Sequence, residues 1–359
     1  MSLTRTPVRV AVALAVSMAV TLSGHTTSLA ASTGASGPGE DPGLVAALGQ
    51  AASAAVSSAA ATSVAGAAVT AQATTSCPRP AGLGRRWASW PMPNPAGGGR
   101  KNPVTYAKLG NGTVRDKVTC LIWQRATPNR TYTFAQAKAY CTGLALAGGG
   151  WHLPSRIELT TLINPTRSGP AINVSAFPDT VVGFYWTSTP WAVTSSPKRA
   201  WIVNFYEGLT SNGAFRSGSY NVRCVKSPGG SGTATYKKIA PGQIKDLHTK
   251  LVWQRTTASG TFTKRQATAY CKALTLGGKT NWRLPTIKEL ATTVDDRVVA
   301  PAIKANWFLK TDKKAWYWSS SKGLNSSGKV TSTARRALSY DDGYTNYRKV
   351  TSGKVRCVR

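Results

Sequence analysis

Carboxylates recur at matched places in the sequence and are the first candidates for acid–base or metal chemistry. Glu158 and Glu289 each stand three residues after a hydroxyl residue, Ser155 or Thr286. A glutamate so placed can act as an acid or a base, but it is also where a helix-capping glutamate belongs, and the capping role is the simpler expectation. Asp116 and Asp246 each precede a Trp-Gln-Arg stretch, where an aspartate fixes a turn or pairs with an arginine. The adjacent acids Asp295-Asp296 and Asp341-Asp342 could supply oxygen ligands to Ca²⁺. Against this, only 13 Asp and Glu occur in 359 residues, too few for a multi-carboxylate site to be expected. His25, His152 and His248 lie far apart, which argues against a His-rich zinc site, so no metal is expected. No G-x-S-x-G, P-loop or H-E-x-x-H motif is present, and no catalytic residue or cofactor is expected.

Cations are what the sequence has in excess. There are 45 Lys and Arg, giving a formal net charge of +32. A field of that sign attracts polyanions and is screened by salt. The candidate polyanion-binding residues are Lys198 and Arg199, Lys310, Lys313 and Lys314, Arg335 and Arg336, and Arg348 and Lys349. Arginine suits two-pronged contacts with sulfate, phosphate or carboxylate. Trp191, Trp307 and Trp316, in variable stretches, are candidates for stacking on a sugar ring.

The elements that must position these groups come from an internal repeat. Asp116 and Leu121-Ile122-Trp123-Gln124-Arg125 recur as Asp246 and Leu251-Val252-Trp253-Gln254-Arg255. Ala139-Tyr140-Cys141 recurs as Ala269-Tyr270-Cys271, and Trp151-His152-Leu153-Pro154-Ser155 as Trp282-Arg283-Leu284-Pro285-Thr286. Tyr185-Trp186-Thr187-Ser188 recurs as Tyr317-Trp318-Ser319-Ser320, and Val222-Arg223-Cys224-Val225 as Val355-Arg356-Cys357-Val358. His152 therefore matches Arg283, and His248 matches Val118, so neither histidine serves a mechanism shared by both copies. The paired tryptophans at 123, 151, 186, 253, 282 and 318 read as core. Copy one spans 104–227 and copy two 236–359, with a Gly/Ser linker at 228–235. Copy two carries 25 Lys and Arg against 7 Asp and Glu; copy one carries 13 against 4.

Each copy is expected to hold two helices. Thr133-x-x-Gln136 and Thr263-x-x-Gln266 have capping-box form and open helices running to about Leu146 and Leu276. Ser155-x-x-Glu158 and Thr286-x-x-Glu289 open the second pair. The remaining blocks are aromatic and β-branched and read as short strands, giving an α+β class. Repeat symmetry pairs Cys141 with Cys224 and Cys271 with Cys357, leaving Cys77 to pair with Cys120.

Ahead of the repeat, residues 1–31 read as a secretory signal peptide. Arg5 and Arg9 precede an apolar stretch, Val10–Leu22, of about a dozen residues, too short to span a bilayer. Export to an oxidising compartment, with no membrane span in the mature chain, follows and suits the disulfides. Residues 32–76 are Ala- and Ser-rich and read as a flexible tether. Residues 77–103 form a Pro/Gly-rich lead-in whose Trp87 and Trp90 are expected to lie against the first domain.

Six matched blocks in one order carry a family likeness. Each copy resembles the Lcl C-terminal domain, the globular end of the Legionella collagen-like adhesin. The resemblance implies a variant of the C-type lectin-like fold, with a mostly antiparallel sheet of short strands and a long disulfide from first helix to last strand. It also implies binding of sulfated glycosaminoglycan. The Glu-Pro-Asn and Trp-Asn-Asp signatures of calcium-dependent sugar-binding lectins are missing. The expectation is thus a secreted or cell-surface adhesin that binds acidic or sulfated polysaccharide or a cell-surface glycan. The alternative is a module that binds a protein ligand through variable loops. A third reading follows the Leu-Pro-Ser/Thr-x-x-Glu block, which is similar to one in the formylglycine-generating enzymes; it requires reactive cysteines.

Overall fold

Four reciprocal caps start the four α-helices of the described residues. Thr133, Ser155, Thr263 and Thr286 sit in extended backbone and accept from the N–H three residues on, while the Gln or Glu there accepts from the cap's own N–H. They open α1 (Phe134–Thr142), α2 (Arg156–Thr161), α3 (Lys264–Ala273) and α4 (Ile287–Ala291). The first helix of each copy ends short of Leu146 and Leu276. Gly143 caps α1, and a 3₁₀ turn, Leu146–Gly148, follows; Leu274 turns into extended backbone after α3. This computed structural model describes residues 86–95, 99, 102–193, 195, 198–227, 233–347 and 351–359. The expected signal peptide, the tether, Cys77, Arg348 and Lys349 lie outside them, as does most of the linker.

In copy one, β1 (Tyr106–Lys108), β2 (Thr113–Asp116), β3 (Ile122–Gln124) and β7 (Val225–Lys226) form one antiparallel sheet in that order. A second antiparallel sheet holds β4 (Phe184–Pro190), β5 (Arg199–Asn204) and β6 (Leu209–Phe215). Copy two repeats this with β8 (Tyr236–Ala240), β9 (Gln243–Asp246) and β10 (Val252–Gln254), then β11 (Trp316–Leu324), β12 (Val330–Ser339) and β13 (Thr345–Asn346). The class is α+β. The tight turns after β2 and β9 are fixed by aspartate: Asp116 Oδ1 accepts from the N–H of Val118 and Thr119, and Asp246 Oδ1 from His248 and Thr249. Cys120 and Lys250 complete these turns with positive φ.

Each copy packs two apolar clusters. One surrounds Trp123 or Trp253; the other surrounds the disulfide, with Trp151 and Trp186 or Trp282 and Trp318. Cys141 bonds to Cys224 and Cys271 to Cys357, closing separations of 83 and 86 residues. Cys120 is also disulfide-bonded. The lead-in serves both copies rather than the first alone: Trp90 is buried in the copy-one core and Trp87 in that of copy two.

Both copies fall in one compact unit, Thr70–Arg359. Their mutual contact is pseudo-symmetric, like an isologous dimer interface. Thr210 on β6 and Thr345 on β13 hold equivalent places and bond to each other, Oγ1 to Oγ1, at 3.0 Å. Tyr347 donates to Glu207 on one side of them, and Asn212 donates to Asp342 on the other. Arg156 of α2 pairs with Asp296 at 2.7 Å, both fully buried. Lys288 of α4 donates to the carbonyls of Thr161 and Ile163.

Candidate anion-binding cleft

Arg335 and Arg336, adjacent on β12, point to different fates. Arg336 is buried, not a surface cation: its guanidinium donates to Gly208 O of copy one and to Lys322 O. It sits on the strand where copy one has buried Trp201, since Ser319 bonds its carbonyl as Thr187 bonds that of Trp201. Arg335 faces the other way, into a cleft of about 1030 Å³ between the head of α3 and the β11–β12 hairpin. That volume is at the upper end of the ~300–1,000 Å³ usual for ligand pockets.

Lys264, Arg265 and Arg335 bring three cations to this cleft, with no carboxylate among its described lining residues. Trp318, Leu324 and Tyr347 contribute an apolar and aromatic surface, and Thr263, Asn325, Ser326, Thr333 and Thr351 supply polar groups. Lys264 Nζ donates to the carbonyls of Ser332 at 2.7 Å and Thr333 at 3.3 Å. Partial burial, and then the charge of Arg335, hold its ammonium below the ordinary lysine value. Burial lowers Arg335 as well, and its Nη1 is buried with no hydrogen-bond partner. The positive end of the α3 dipole opens on the same space. Like charges with no carboxylate beside them gain from an anion that enters between them.

Copy one fills the same place with rings. Phe134 heads α1 as Lys264 heads α3, and its ring meets Trp186 edge-on at 5.5 Å. Tyr220 covers Trp186 from another side at 4.8 Å. Tyr220 bridges to Tyr132 as Gly353 bridges to Phe262, so copy two has a glycine where that second ring stands. A Cβ on Gly353 would lie 2.6 Å from Trp316 O, so no side chain fits there without a backbone shift. Two differences between the copies thus uncover the region beside Trp318. Sequence reasoning missed Lys264, Arg265, Trp318 and Tyr347 as lining residues. The Phe134–Lys264 mismatch was the available signal, because both stand one residue after the matched Thr caps.

Other expected site residues are dispersed. Lys198, Lys310, Lys313 and Lys314 are exposed. Arg199 is half-buried, with its guanidinium over Phe215 at 4.1 Å and Trp191 at 5.8 Å, and donates to Gly213 O. Trp307 packs on the copy-two core beside Tyr236, and Trp316 packs on the disulfide cluster beside Tyr344. All three candidate stacking tryptophans are half-buried, and none lines the cleft.

The carboxylates are engaged in structure. Glu289 takes both prongs of Arg283 and caps α4. Glu158 caps α2 and accepts from Ser227, with His152 Nε2 at 3.5 Å. Burial alone would raise Glu158, but the hydrogen bond and charge of His152, with the bonds from Ser227 and Ser155, hold it below the ordinary glutamate value. Ser227 and Glu158 meet the same histidine nitrogen, so this trio lacks the opposed arrangement of a catalytic triad. Asp295 is held by Arg297 and Asp296 by Arg156. Among the described residues no group of three His, Cys, Asp or Glu could hold a metal, and no cysteine is free. Among them, too, no helix is long and apolar enough to cross a membrane.

Comparison with protein families finds the model of the Lcl C-terminal domain matching twice, at residues 112–226 and 242–359. Comparison with curated proteins gives no match.

Proposed function

Because the chain belongs to the Lcl C-terminal domain family, carried as a tandem pair, we propose that it is an exported, non-enzymatic adhesin that holds acidic or sulfated polysaccharide in the copy-two cleft. The observation that carries this reading is the grouping of Lys264, Arg265 and Arg335 beside Trp318 and Tyr347 with no acid among them. Cations suit sulfate or carboxylate, and aromatic faces and hydroxyls suit a sugar ring. We read each copy as a variant of the C-type lectin-like fold, its long disulfide tying α1 or α3 to the last segment of the copy. The exposed Lys198, Lys313 and Lys314 add to the long-range field rather than to the cleft. The leader at 1–31 and the disulfides support export. The absence of a free cysteine among the described residues weighs against formylglycine-generating chemistry.

The test is heparin binding at low and high salt. Affinity should fall steeply with salt, as expected when cations displace counterions from a polyanion. Arg335→Ala should weaken it, and unchanged binding by that variant would remove the cleft from the site. A second reading rests on copy one, where Val181, Val182 and Phe184 are exposed in and beside a variable loop. A protein partner held there would bind with little response to salt.

A further inference from the structure

A second hollow of about 380 Å³ lies on copy two. Its lining includes Gln254, Ser259, Tyr270, Lys310 and Lys354. The two hollows flank one piece of backbone, the bridge between Phe262 and Gly353. Thr263 and Thr351 line the larger, and Ser259 and Lys354 the smaller. Ser259 and Thr263 are four residues apart, a reach of at most about 14 Å.

Copy one reverses the chemistry here as it does at the main cleft. Arg223 donates to Thr180 as Arg356 donates to Thr311, so Asp179 stands where copy two has Lys310. The backbone N–H of Trp186 donates to the carbonyl of Asn221 as the backbone N–H of Trp318 donates to that of Lys354, so Asn221 answers to Lys354. An acid and an amide are thus replaced by two cations. Lys354 Nζ is anchored on Gly260 O at the rim. Lys310 has φ +51, a left-handed conformation unfavourable to a residue with a Cβ, kept at the edge of the hollow with its side chain exposed.

We propose that Lys310 and Lys354 form a second anion subsite, which takes the next sulfate or carboxylate along an acidic polysaccharide seated in the main cleft. This rests on the polysaccharide reading above and extends it: one ligand chain would engage both hollows of copy two, where copy one carries an acid and an amide in place of the two lysines. Two linked subsites on one chain raise affinity through effective concentration, so the gain depends on ligand length.

The experiment grafts the copy-one residues, Lys310→Asp with Lys354→Asn, into the full chain. Calorimetry then compares a heparin disaccharide with a heparin octasaccharide, after thermal melts confirm that the variant folds. The octasaccharide should bind the variant about tenfold more weakly, with disaccharide binding unchanged. Equal octasaccharide affinity in variant and wild type would overturn the subsite while leaving the main cleft standing. An equal loss for both ligands would also overturn it, since the lysines would then act as part of one general field. Failure of the wild-type protein to bind either ligand would overturn the polysaccharide reading itself, and the subsite with it.

Discussion

Phe134 and Lys264 stand at the same point of equivalent helices, and the ring of one lies against Trp186 while the amine of the other reaches across to the carbonyls of Ser332 and Thr333 beside an open cleft. Lys264→Phe should therefore plug the cleft with the packing that copy one already uses. Heparin binding should be lost while the melting temperature holds or rises, because an apolar ring gains cover on Trp318. Retained binding by a folded Lys264→Phe protein would place the ligand elsewhere.

The neighbours Arg335 and Arg336 should separate binding from stability. Arg335→Ala removes a cleft cation whose buried Nη1 makes no hydrogen bond, and should cost no more than about 1 kcal/mol. Arg336→Ala strips hydrogen bonds from Gly208 O and Lys322 O and leaves a buried hole, so it should cost about 2–4 kcal/mol. Denaturant melts beside heparin affinity read both effects, and equal stability losses would contradict the assignment.

At the interface between copies, burial raises the Asp296 carboxyl, and the Arg156 guanidinium opposes that shift. Asp296→Ala should destabilise the protein by about 3–5 kcal/mol, because it strands a buried guanidinium. Replacing the pair together, Arg156→Met with Asp296→Leu, should recover most of that loss in a thermal melt.

Lys288 sets a pH response. Desolvation at the interface pulls its amine from the ordinary 10.5 down to about 7, with the charge of Asp116 opposing the shift. The folded chain then binds fewer protons than the unfolded chain between about pH 7 and pH 10, so stability rises with pH across that window. The buried tyrosines Tyr106 and Tyr236 are raised by burial and act in the opposite sense only above their ordinary 10.0. Lys288→Met should flatten the slope of unfolding free energy between pH 7 and pH 9; an unchanged slope would assign it to other groups.

The disulfides Cys141–Cys224 and Cys271–Cys357 close separations of 83 and 86 residues and should each contribute about 4–5 kcal/mol by restricting the unfolded chain. A thiol titration of denatured, unreduced protein should find no free thiol. Two or more would reopen the enzyme reading.

Much of this architecture was legible in the sequence because its signals are local. A Thr or Ser with Gln or Glu three residues on satisfies the first N–H groups of a helix wherever it lies, so Thr133, Ser155, Thr263 and Thr286 announced their helices unaided. Asp116 and Asp246 fix their turns through N–H groups two and three residues ahead. Duplication made the paired tryptophans recognisable as core.

Which cations face solvent was decided only by the tertiary structure. In a list of residues Arg156, Arg223, Lys288, Arg336 and Arg356 count as surface charge; folded, they are buried and bonded to carbonyls, hydroxyls or a carboxylate of distant segments. The cleft likewise depends on chain more than eighty residues apart meeting at the head of α3, where Lys264 and Gly353 together leave room that Phe134 and Tyr220 occupy in copy one. Burial and open volume are properties of what surrounds a residue, and the surroundings are assembled only when the chain folds.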